Sequence, residues 1–373
     1  MEKILILGGW NNASLSIAQS LGHRGYHIDI FTFSCKINKT KFSRYTKRTI
    51  CRKFDNNVNY LVDLIVKVLE NYNYDYVIPT NDMFSLLLAR IKESHRGKEH
   101  LLVPDYNILV RAMDKQNTMQ LASKNGFPVP ATYSSVDEVE QFPVVIKSRF
   151  SLFIEKNKFK RGSMKVATSR EEALSALQHI PYPMLMRKIT GTGWGIEVLF
   201  VDNRILAAFS HKRLREANPI TGSYSSAAIS IPLDHNALSR IEKMLGDLKW
   251  EGVAMFEFKG DYFLEVNGRF WGSLPLAIQS GVDFPYLYLL AVSQKLHNPY
   301  LAYKTGIKSR WLRADIAHLL RTLKTNPLNL KALAEVLNPF QKSYNMVHFD
   351  PFPEVVDLFS PFLEKYILKQ PCV

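Results

Sequence analysis

Residues 253–274, VAMFEFKGDYFLEVNGRFWGSL, constrain the fold more than any other stretch of the chain. Two apolar runs flank Lys259-Gly260-Asp261, a sequence typical of a turn between two antiparallel strands. On the second run, Glu265, Asn267 and Arg269 are spaced two residues apart. Since side chains alternate between the faces of a strand, these three point to the same side of the predicted hairpin.

Glu257 lies on the first run, and the length of the connecting loop decides whether it joins that face. A loop with an odd number of residues, such as Lys259-Gly260-Asp261 with Gly260 in the left-handed conformation, places Glu257 on the same face. A two-residue loop turns Glu257 to the opposite face.

The side chains on this face point to a charged ligand. Two carboxylates, an amide and a guanidinium are costly to bury without partners. Carboxylate and amide oxygens suit Mg2+, which commonly completes its shell with water and substrate phosphates, and a guanidinium suits a phosphate. A magnesium–nucleotide complex is the simplest occupant. The alternative is an ordinary hairpin with an exposed polar edge.

The motif Phe256-Glu257-Phe258, followed by EVNGRFWGS at residues 265–273, resembles the signature of the ATP-grasp superfamily. It is most similar to the carboxylate–amine ligase and carbamoyl-phosphate-synthase-like branches, as is Trp250-Glu251-Gly252 ahead of the first run. The resemblance implies an ATP-grasp fold that binds ATP with two Mg2+ ions, or with Mn2+ in their place. It implies metal binding by Glu257, Glu265 and Asn267 and contact of Arg269 with the transferred phosphate.

Three further basic residues are candidates for phosphate contacts. Lys115 begins a helix in Met113-Asp114-Lys115, which is similar to the start of the ATP-grasp core, where the lysine reaches an ATP phosphate; the alternative is an exposed helix lysine. Lys147 ends the buried strand FPVVIK, where the family places a nucleotide-binding lysine and where a point charge is a good phosphate ligand. Arg213 ends a basic cluster similar to the family's phosphate or acylphosphate contacts, and its planar fork suits an oxyanion.

The strand at residues 184–189, MLMRKI, runs into a glycine-rich hinge that resembles the adenine-binding edge of the family. Met186, Ile189 and Met255 are our candidates for the apolar slot around the base, although methionine pairs are also common in plain cores. Glu197 lies between apolar residues in a predicted strand and needs a partner. A ribose hydroxyl, a core arginine or a substrate amine would each serve.

Residues 151–166, SLFIEKNKFKRGSMKV, stand where the family has a glycine-rich flap whose backbone N–H groups wrap the phosphates. Here Gly162 is the sole glycine, and a cluster of cations is present at Lys156, Lys158, Lys160 and Arg161. These side chains could close over ATP as a lid, recruit an acidic substrate, or lie on a solvated loop.

The sequence predicts a mixed α/β and α+β architecture in three parts. Residues 1–104 alternate strands and helices and predict a doubly wound (pre-ATP-grasp) α/β domain on the substrate side. Its first turn, GGWNNA at residues 8–13, lacks the G-x-G-x-x-G spacing of dinucleotide-binding folds. Residues 105–300 predict the ATP-grasp domain, with the nucleotide between two subdomains. Residues 301–373 predict a helical extension whose basic amphipathic helices either pack on the core or lie on an anionic membrane surface.

The amino-acid composition limits the kinds of partner that the protein is expected to bind. A net charge of +14 is compatible with nucleic acid or another anionic surface, but the sequence holds no nucleic-acid recognition motif, so we expect a site for ATP and an acidic substrate instead. The sequence contains no run of about 18 apolar residues, so it predicts no transmembrane helix. The three cysteines, Cys35, Cys51 and Cys372, are scattered, form no zinc spacing and predict reduced thiols in a cytoplasmic protein.

The resemblance implies an ATP-dependent ligase. Such an enzyme activates a small-molecule carboxylate as an acylphosphate and joins it to an amine, with an amino acid or peptide as the expected substrate, and releases ADP and phosphate. A homodimer is compatible with the sequence. The alternatives are an ATP-binding regulatory protein with weakened catalysis and a basic protein that binds nucleic acid or a membrane surface.

Overall fold

The computed structural model describes residues 1–33, 38–95, 97, 100–216, 225–325, 330–338 and 341–366. In this part of the chain the strands form sheets of five, four, seven and two strands. Helices cover their faces, so the predicted mixture of α and β structure is confirmed.

The N-terminal part is a parallel sheet with the strand order β3-β2-β1-β4-β5. Its strands are β1 (Lys3–Leu7), β2 (His27–Thr32), β3 (Thr46–Cys51), β4 (Tyr76–Pro79) and β5 (His100–Leu101). Its helices are α1 (Asn12–His23), a 3-10 helix (Lys39–Phe42), α2 (Val58–Asn71) and α3 (Asp82–Ser94). Helix α1 packs on one face of the sheet, and α2 and α3 pack on the other. This is the doubly wound arrangement that the alternating strands and helices predict.

Strand β3 is an element that the sequence analysis missed. Its sequence, TKRTIC, is mostly polar, and it buries Ile50 alone. An edge strand tolerates this composition because one side of it meets solvent. Cys51, at its end, is disulfide-bonded, so the expectation of reduced thiols is wrong at this position. Cys35 and Cys372 lie outside the described residues.

Polar residues at the carboxyl edge of this sheet cap helices. The side chain of Asn11 accepts a hydrogen bond from the N–H of Ser14 at 2.8 Å, and that of Asn81 accepts one from the N–H of Phe84 at 3.0 Å. A Cβ atom on Gly8 would lie 2.0 Å from Thr80 Oγ1. The first turn therefore needs glycine for close packing against β4.

The next part is an antiparallel sheet with the strand order β10-β7-β11-β6. Its strands are β6 (Thr132–Tyr133), β7 (Val144–Ser148), β10 (Met164–Ala167) and β11 (Pro183–Arg187). Helices α4 (Tyr106–Met113) and α5 (Lys115–Lys124) precede it, and a 3-10 helix (Val136–Glu138) and α6 (Arg170–His179) accompany it. Because α6 packs on one face of the sheet, the other face is left to line a cleft.

The largest sheet has the strand order β16-β15-β12-β13-β14-β17-β18. Its strands are β12 (Gly193–Val201), β13 (Arg204–Glu216), β14 (Ser225–Ser230), β15 (Gly252–Lys259), β16 (Tyr262–Asn267), β17 (Lys308–Arg310) and β18 (Lys342–Ser343). Helix α7 (His235–Leu248) packs on one face. Helices α8 (Leu274–Ser280) and α9 (Phe284–Val292) pack on part of the other face. The remainder of that face carries the motif residues.

In the central hairpin, Glu257 lies on the same face as Glu265 because of a β-bulge, and not because of the loop length. Its loop, Gly260-Asp261, has two residues, which would by itself turn Glu257 away from the motif face. The register shifts next to Glu257, however, so that Glu257 pairs with Glu265 and Leu264 is left as the extra residue of a β-bulge. The odd residue lies in the strand instead of the loop, and the two carboxylates share a face.

The flap segment forms a hairpin of its own from β8 (Leu152–Glu155) and β9 (Lys158–Arg161). Its turn residues have positive φ, +46° at Lys156 and +60° at Asn157. Five hydrogen bonds latch its tip to the start of α2. Asn157 exchanges three with residues 57–59, at 2.9, 3.2 and 2.9 Å. Asn56 exchanges two with the backbone of Phe159, at 3.1 and 2.8 Å.

The C-terminal extension adds β17 and β18 to the largest sheet and contributes α10 (Leu312–Thr325), α11 (Leu330–Leu337) and α12 (Phe352–Tyr366). Helix α10 packs beside β13 and β14, and α12 packs on the first 3-10 helix. The expectation that these helices pack on the core is therefore met on one side of α10 and α12. Across the described residues, no helix combines the length and the apolar character needed to cross a membrane.

A lysine is buried where the extension meets the N-terminal part. Lys39 is 4% exposed; its Nζ donates to Asn345 Oδ1 at 2.6 Å and lies 3.4 Å from Asp357 Oδ2. Burial lowers the pKa of Lys39 from 10.5 to about 8, although Asp357 and Glu354 counteract the shift; Arg313 adds to it. Folding therefore buries a positive charge at a cost in free energy.

We predict that Lys39 makes the free energy of unfolding of the wild type rise, relative to that of Lys39→Met, between pH 8 and pH 10.5. In this window folded Lys39 loses its proton, whereas the unfolded chain retains it and so binds more protons. The rise amounts to on the order of 3 kcal/mol. Denaturant unfolding of the wild type and Lys39→Met at a series of pH values measures it. The difference between the two profiles should grow across this window, and Lys41→Met, which alters an exposed lysine of the same helix, should keep the wild-type profile. Parallel profiles of the wild type and Lys39→Met would contradict the prediction.

We also predict that Asn56→Ala loosens the hairpin. The substitution removes both side-chain hydrogen bonds to Phe159, each of which stabilises by about 1 kcal/mol. Hydrogen exchange at the Phe159 amide should accelerate by roughly tenfold to thirtyfold. Asn59→Ala, an exposed change three residues further along, in the first turn of α2, is the control and should leave the exchange rate unchanged. Equal rates in all three proteins would show that the latch is not formed in solution.

Candidate active site

A cleft between the four-stranded and seven-stranded sheets is lined by five of the predicted site residues, Lys147, Met186, Ile189, Arg213 and Glu257. Its empty space, which includes the open mouth, is about 780 Å³. The four-stranded sheet contributes Val145, Lys147, Val166 and Met186 to its lining, and the seven-stranded sheet contributes Arg213, Glu257, Lys259 and Leu264.

The predicted metal ligands lie side by side on the wall formed by β15 and β16. The side chains of Glu257 and Glu265 are 19% and 26% exposed and are neighbours across the paired strands. Asn267 Nδ2 donates a hydrogen bond to Glu257 Oε1 at 3.0 Å. The bulge at Leu264 is what brings all three to one face.

Arg213 reaches this wall from β13, two strands away. Its Nη2 donates to Glu257 Oε2 at 2.8 Å, and its Nη1 lies 3.4 Å from Glu216 Oε1. The intervening strand β12 leaves room because it has glycine at the facing position: a Cβ atom on Gly193 would lie 2.9 Å from Arg213 Cδ. A guanidinium held in this way can exchange a carboxylate partner for a phosphate.

Two lysines face the same carboxylates from the opposite side of the cleft. Lys115 Nζ donates to Ser151 Oγ at 2.7 Å and lies 3.5 Å from Glu265 Oε2. Lys147 lies on β7 and lines the cleft. Burial lowers the pKa of Lys147, Glu265 and Glu257 oppose the shift, and Lys115 adds to it. Both predicted phosphate-binding lysines are therefore close to the acid wall.

Electrostatics keep Glu265 ionised. Burial by itself would raise the pKa of its carboxyl group. The positive charges of Lys115, Lys147 and Arg269 outweigh burial and hold the pKa below its ordinary value. An ionised carboxylate is the form that binds a metal ion.

Arg269 lies differently from the prediction of a phosphate contact. Its Nε donates to Asp82 Oδ1 of α3 at 2.8 Å, and its Nη2 donates to Asn267 Oδ1 at 3.3 Å. In this structure Arg269 therefore joins the motif strand to the carboxyl edge of the N-terminal sheet. Asp82 begins α3 directly after the cap residue Asn81, and its pairing with Arg269 is decided by the tertiary structure.

The apolar slot forms, but with a partly different set of residues. Met186 and Ile189 line the cleft, together with Val145, Val166 and Leu264. Within the described residues, Met255 is not part of this lining; it is 6% exposed and packs in the buried cluster beneath α8 and α9. The placement of Met255 was wrong because α8 and α9 cover that end of the sheet face.

Glu197 also lies differently from the prediction of a contact with the nucleotide. It is fully buried, and its Oε1 lies 2.6 Å from Nδ1 of His211 on the neighbouring strand. This geometry is not that of an aligned hydrogen bond, since both carboxylate oxygens lack a hydrogen-bond partner among the described residues. Burial raises the pKa of Glu197, and His211 acts in the opposite direction. Because Glu197 is fully buried, a nucleotide in the cleft does not contact it, and its partner, His211 on β13, is revealed by the tertiary structure alone.

The donor set fits a magnesium–nucleotide complex. Two half-buried carboxylates and an amide offer oxygen ligands, and three cations stand within reach of phosphates. Within the described ranges, no group of three or more histidine, cysteine, aspartate or glutamate side chains could hold a metal by itself. A cation at Glu257, Glu265 and Asn267 would thus need water and phosphate oxygens as further ligands, as Mg2+ commonly does.

Comparison of the sequence with models of known protein families gives no match. A segment of 174 residues is 31% identical to the D-alanine--D-alanine ligase of Fusobacterium nucleatum subsp. nucleatum. This match covers 42% of the chain and 55% of the ligase, so the chain spans little more than half the length of the curated relative it matches.

Solved structures resemble the chain over most of its length. N5-carboxyaminoimidazole synthetase from Staphylococcus aureus, complexed with ADP, superposes with a TM-score of 0.62, covering 87% of this chain and 86% of that one at 14% identity. The biotin carboxylase domain of Hydrogenobacter thermophilus 2-oxoglutarate carboxylase, in complex with MgADP, ADP and bicarbonate, superposes with a TM-score of 0.60, covering 82% and 73% at 12% identity. These structural similarities show that the chain has the same fold as these proteins, the ATP-grasp fold.

Proposed function

We propose that the protein is an ATP-dependent ligase that activates a carboxylate as an acylphosphate and joins it to an amine. The observation that carries this proposal is the convergence of opposite charges across one cleft. Glu257 and Glu265 stand on one wall, and Lys115, Lys147 and Arg213 surround them. This is the arrangement that a triphosphate with its metal ions requires.

The cleft suggests how ATP binds. The base occupies the apolar slot of Met186 and Ile189, and the phosphates extend toward Lys147, Lys115 and Arg213. Glu257, Glu265 and Asn267 would hold two Mg2+ ions, or Mn2+. When bound, these ions neutralise the phosphate charge and orient the γ-phosphate. The protein contributes positioning and fixed positive charge, which is most of what phosphoryl transfer needs.

The reaction proceeds in two displacements. A carboxylate oxygen of the acid attacks the γ-phosphorus, the bond to the β–γ bridging oxygen breaks, and ADP leaves. The amine nitrogen then attacks the carbonyl carbon of the acylphosphate. Phosphate leaves with the oxygen that came from the acid, and the amine loses a proton. Arg213 stabilises the charge on the moving phosphoryl group.

The two substrates fit the side of the cleft where Arg269 meets Asp82. This is the carboxyl edge of the N-terminal parallel sheet, where open α/β sheets bind ligands. The ligase relative is named for D-alanine, which supports amino acids or short peptides as the acid and the amine. Arg269 would reach the acid or the transferred phosphate after exchange of its present partner.

A second candidate is an ATP-binding regulatory protein with weak catalysis. The feature that favours it is the β8–β9 hairpin, which is poor in glycine and latched to α2. Such a hairpin wraps phosphates by backbone N–H groups less easily than a glycine-rich flap. The two candidates differ in turnover and not in nucleotide binding.

The compartment is also part of the proposal. A ligase that consumes ATP is expected in the cytoplasm, where ATP is supplied. The disulfide at Cys51 is uncommon in that compartment and fits a redox-sensing or transient role there.

We predict that Glu265→Gln lowers ATP turnover by at least about a hundredfold, because it removes a charged metal ligand. The free energy of unfolding should fall by only about 1 to 3 kcal/mol, since no apolar contact is lost but Lys115 and Lys147 lose a neighbouring negative charge. ADP release and denaturant unfolding measure the two effects. Glu251→Gln, an exposed acid immediately before β15, is the matched control and should retain turnover. Wild-type turnover by Glu265→Gln would overturn the assignment of the site.

We further predict transfer of one oxygen atom from acid to phosphate. Amino acids and dipeptides are first screened for stimulated ADP release. The active acid, labelled with 18O in its carboxylate, should then yield phosphate with one 18O atom, detected by mass spectrometry. Unlabelled phosphate together with amide product would exclude an acylphosphate. Tight MgATP binding without stimulation by any acid–amine pair would favour the regulatory candidate.

A further inference from the structure

Helix α12 has its polar side toward the protein and its apolar side toward solvent. Glu354 and Asp357 are 8% and 6% exposed, whereas Phe352 and Phe359 are 67% and 57% exposed. A helix on the surface of a globular protein normally shows the reverse distribution. The inversion is independent of the catalytic cleft and needs its own explanation.

The inner side of α12 is held by specific polar contacts. Asp357 Oδ2 accepts from Asn345 Nδ2 at 3.0 Å and lies 3.4 Å from Lys39 Nζ. Glu354 Oε2 accepts from Ser343 Oγ at 2.9 Å. These contacts fix the rotation of the helix, because a half-turn would expose Lys39 and bury four large apolar side chains at a polar junction.

The outer side is a continuous apolar stripe. Its helical members recur at i, i+3, i+7 and i+10, within an arc of about 80°, and Phe349 precedes them. They are exposed by 75% at Phe349, 67% at Phe352, 52% at Val355, 57% at Phe359 and 58% at Phe362. Among the described side chains of α12, no exposed one is polar. A stripe of this size marks an interaction surface.

The segment that packs against α12 is strongly basic. Residues 38–53 contain seven lysines and arginines and no aspartate or glutamate. Lys41, Arg44 and Lys47 are exposed, and the backbone N–H of Arg44 lies 3.4 Å from Oδ1 of Asp350, just before the helix. Phe42 in the same segment is 42% exposed. Arg44 therefore lies beside the start of the stripe, next to Phe349, and Lys41 and Lys47 lie in the same short segment.

We propose that this surface, formed by the outer side of α12 and residues 41–47, docks the protein on an anionic phospholipid membrane. Phenylalanine side chains on an inverted amphipathic helix insert at the boundary between head groups and acyl chains, and flanking lysines and arginines bind the anionic head groups. The protein lies on the membrane surface through this helix and does not span the bilayer.

The positive charge beside the stripe favours an anionic membrane over a second copy of the chain or a nucleic acid as the binding partner. A second copy of the chain would bring two basic borders and two net charges of +14 together, which opposes self-association through this face. Bases that stack on aromatic rings need cations among those rings to hold the phosphates, and the described outer side of α12 carries apolar side chains alone. An anionic lipid surface matches both the apolar stripe and its positive border.

Vesicle co-sedimentation of the full chain tests the proposal. Vesicles of phosphatidylcholine with phosphatidylserine should pellet the wild type, and vesicles of phosphatidylcholine alone should pellet it at least roughly tenfold less, with salt weakening the binding. Phe352→Ser/Phe359→Ser and Lys41→Glu/Arg44→Glu should each bind at least roughly tenfold more weakly. Phe54→Ser/Leu174→Ser, which alters exposed apolar residues away from the stripe, is the matched control and should bind as the wild type does. ADP release and circular dichroism confirm that each variant is folded.

Four outcomes would overturn the proposal. They are equal binding to neutral vesicles, binding that survives both double variants, absence of binding to either vesicle, and a concentration-dependent dimer that Phe352→Ser/Phe359→Ser abolishes in sedimentation velocity. The last would assign the stripe to a second copy of the chain. A salt-dependent gel shift on RNA that the aromatic variant abolishes, without lipid binding, would assign it to nucleic acid.

Discussion

The structure depends on the balance between two carboxylates and the cations around them. The bulge at Leu264 places Glu257 and Glu265 on one face as cross-strand neighbours. Two ionised carboxylates in neighbouring positions repel each other. Lys115 and Arg213 neutralise them in the chain itself. A bound metal ion would replace the cations as the partner of the carboxylates, and bound phosphates would replace the carboxylates as the partners of Lys115 and Arg213. Because these groups cannot be packed with apolar side chains, the cleft stays open.

One sheet face combines this polar site with a packed core. At one end α8 and α9 cover Met255 and its neighbours; at the other the face is open and carries the carboxylates. Glycine at Gly193 lets Arg213 cross β12, and the buried pair of Glu197 and His211 lies between the two ends. Packed strands and helices therefore support the site on this side, whereas the latched β8–β9 hairpin contributes no residue to the described lining of the cleft.

Local patterns predicted a large part of this arrangement. Alternation along β16 placed Glu265 and Asn267 on one face, and the fold named by the motif is confirmed by the superpositions. Lys147, Met186 and Ile189 lie in the cleft, although their roles stay predictions. Met255 and Glu197 were misplaced because a strand pattern shows which face a residue occupies and not which helix covers it. The polar strand β3 was not predicted, because an edge strand needs few apolar residues.

The sequence by itself determined the hairpin motif, the fold that it implies, the alternation of strands and helices in the N-terminal part and the helix caps, because each depends on neighbours within a few residues. Tertiary structure alone decided which partners distant charges found: Arg269 with Asp82, Glu197 with His211, and Lys39 with Asp357. It also decided that α12 turns its phenylalanines outward. An amphipathic pattern states that a helix has two sides, but the buried charge it meets determines which side faces the protein.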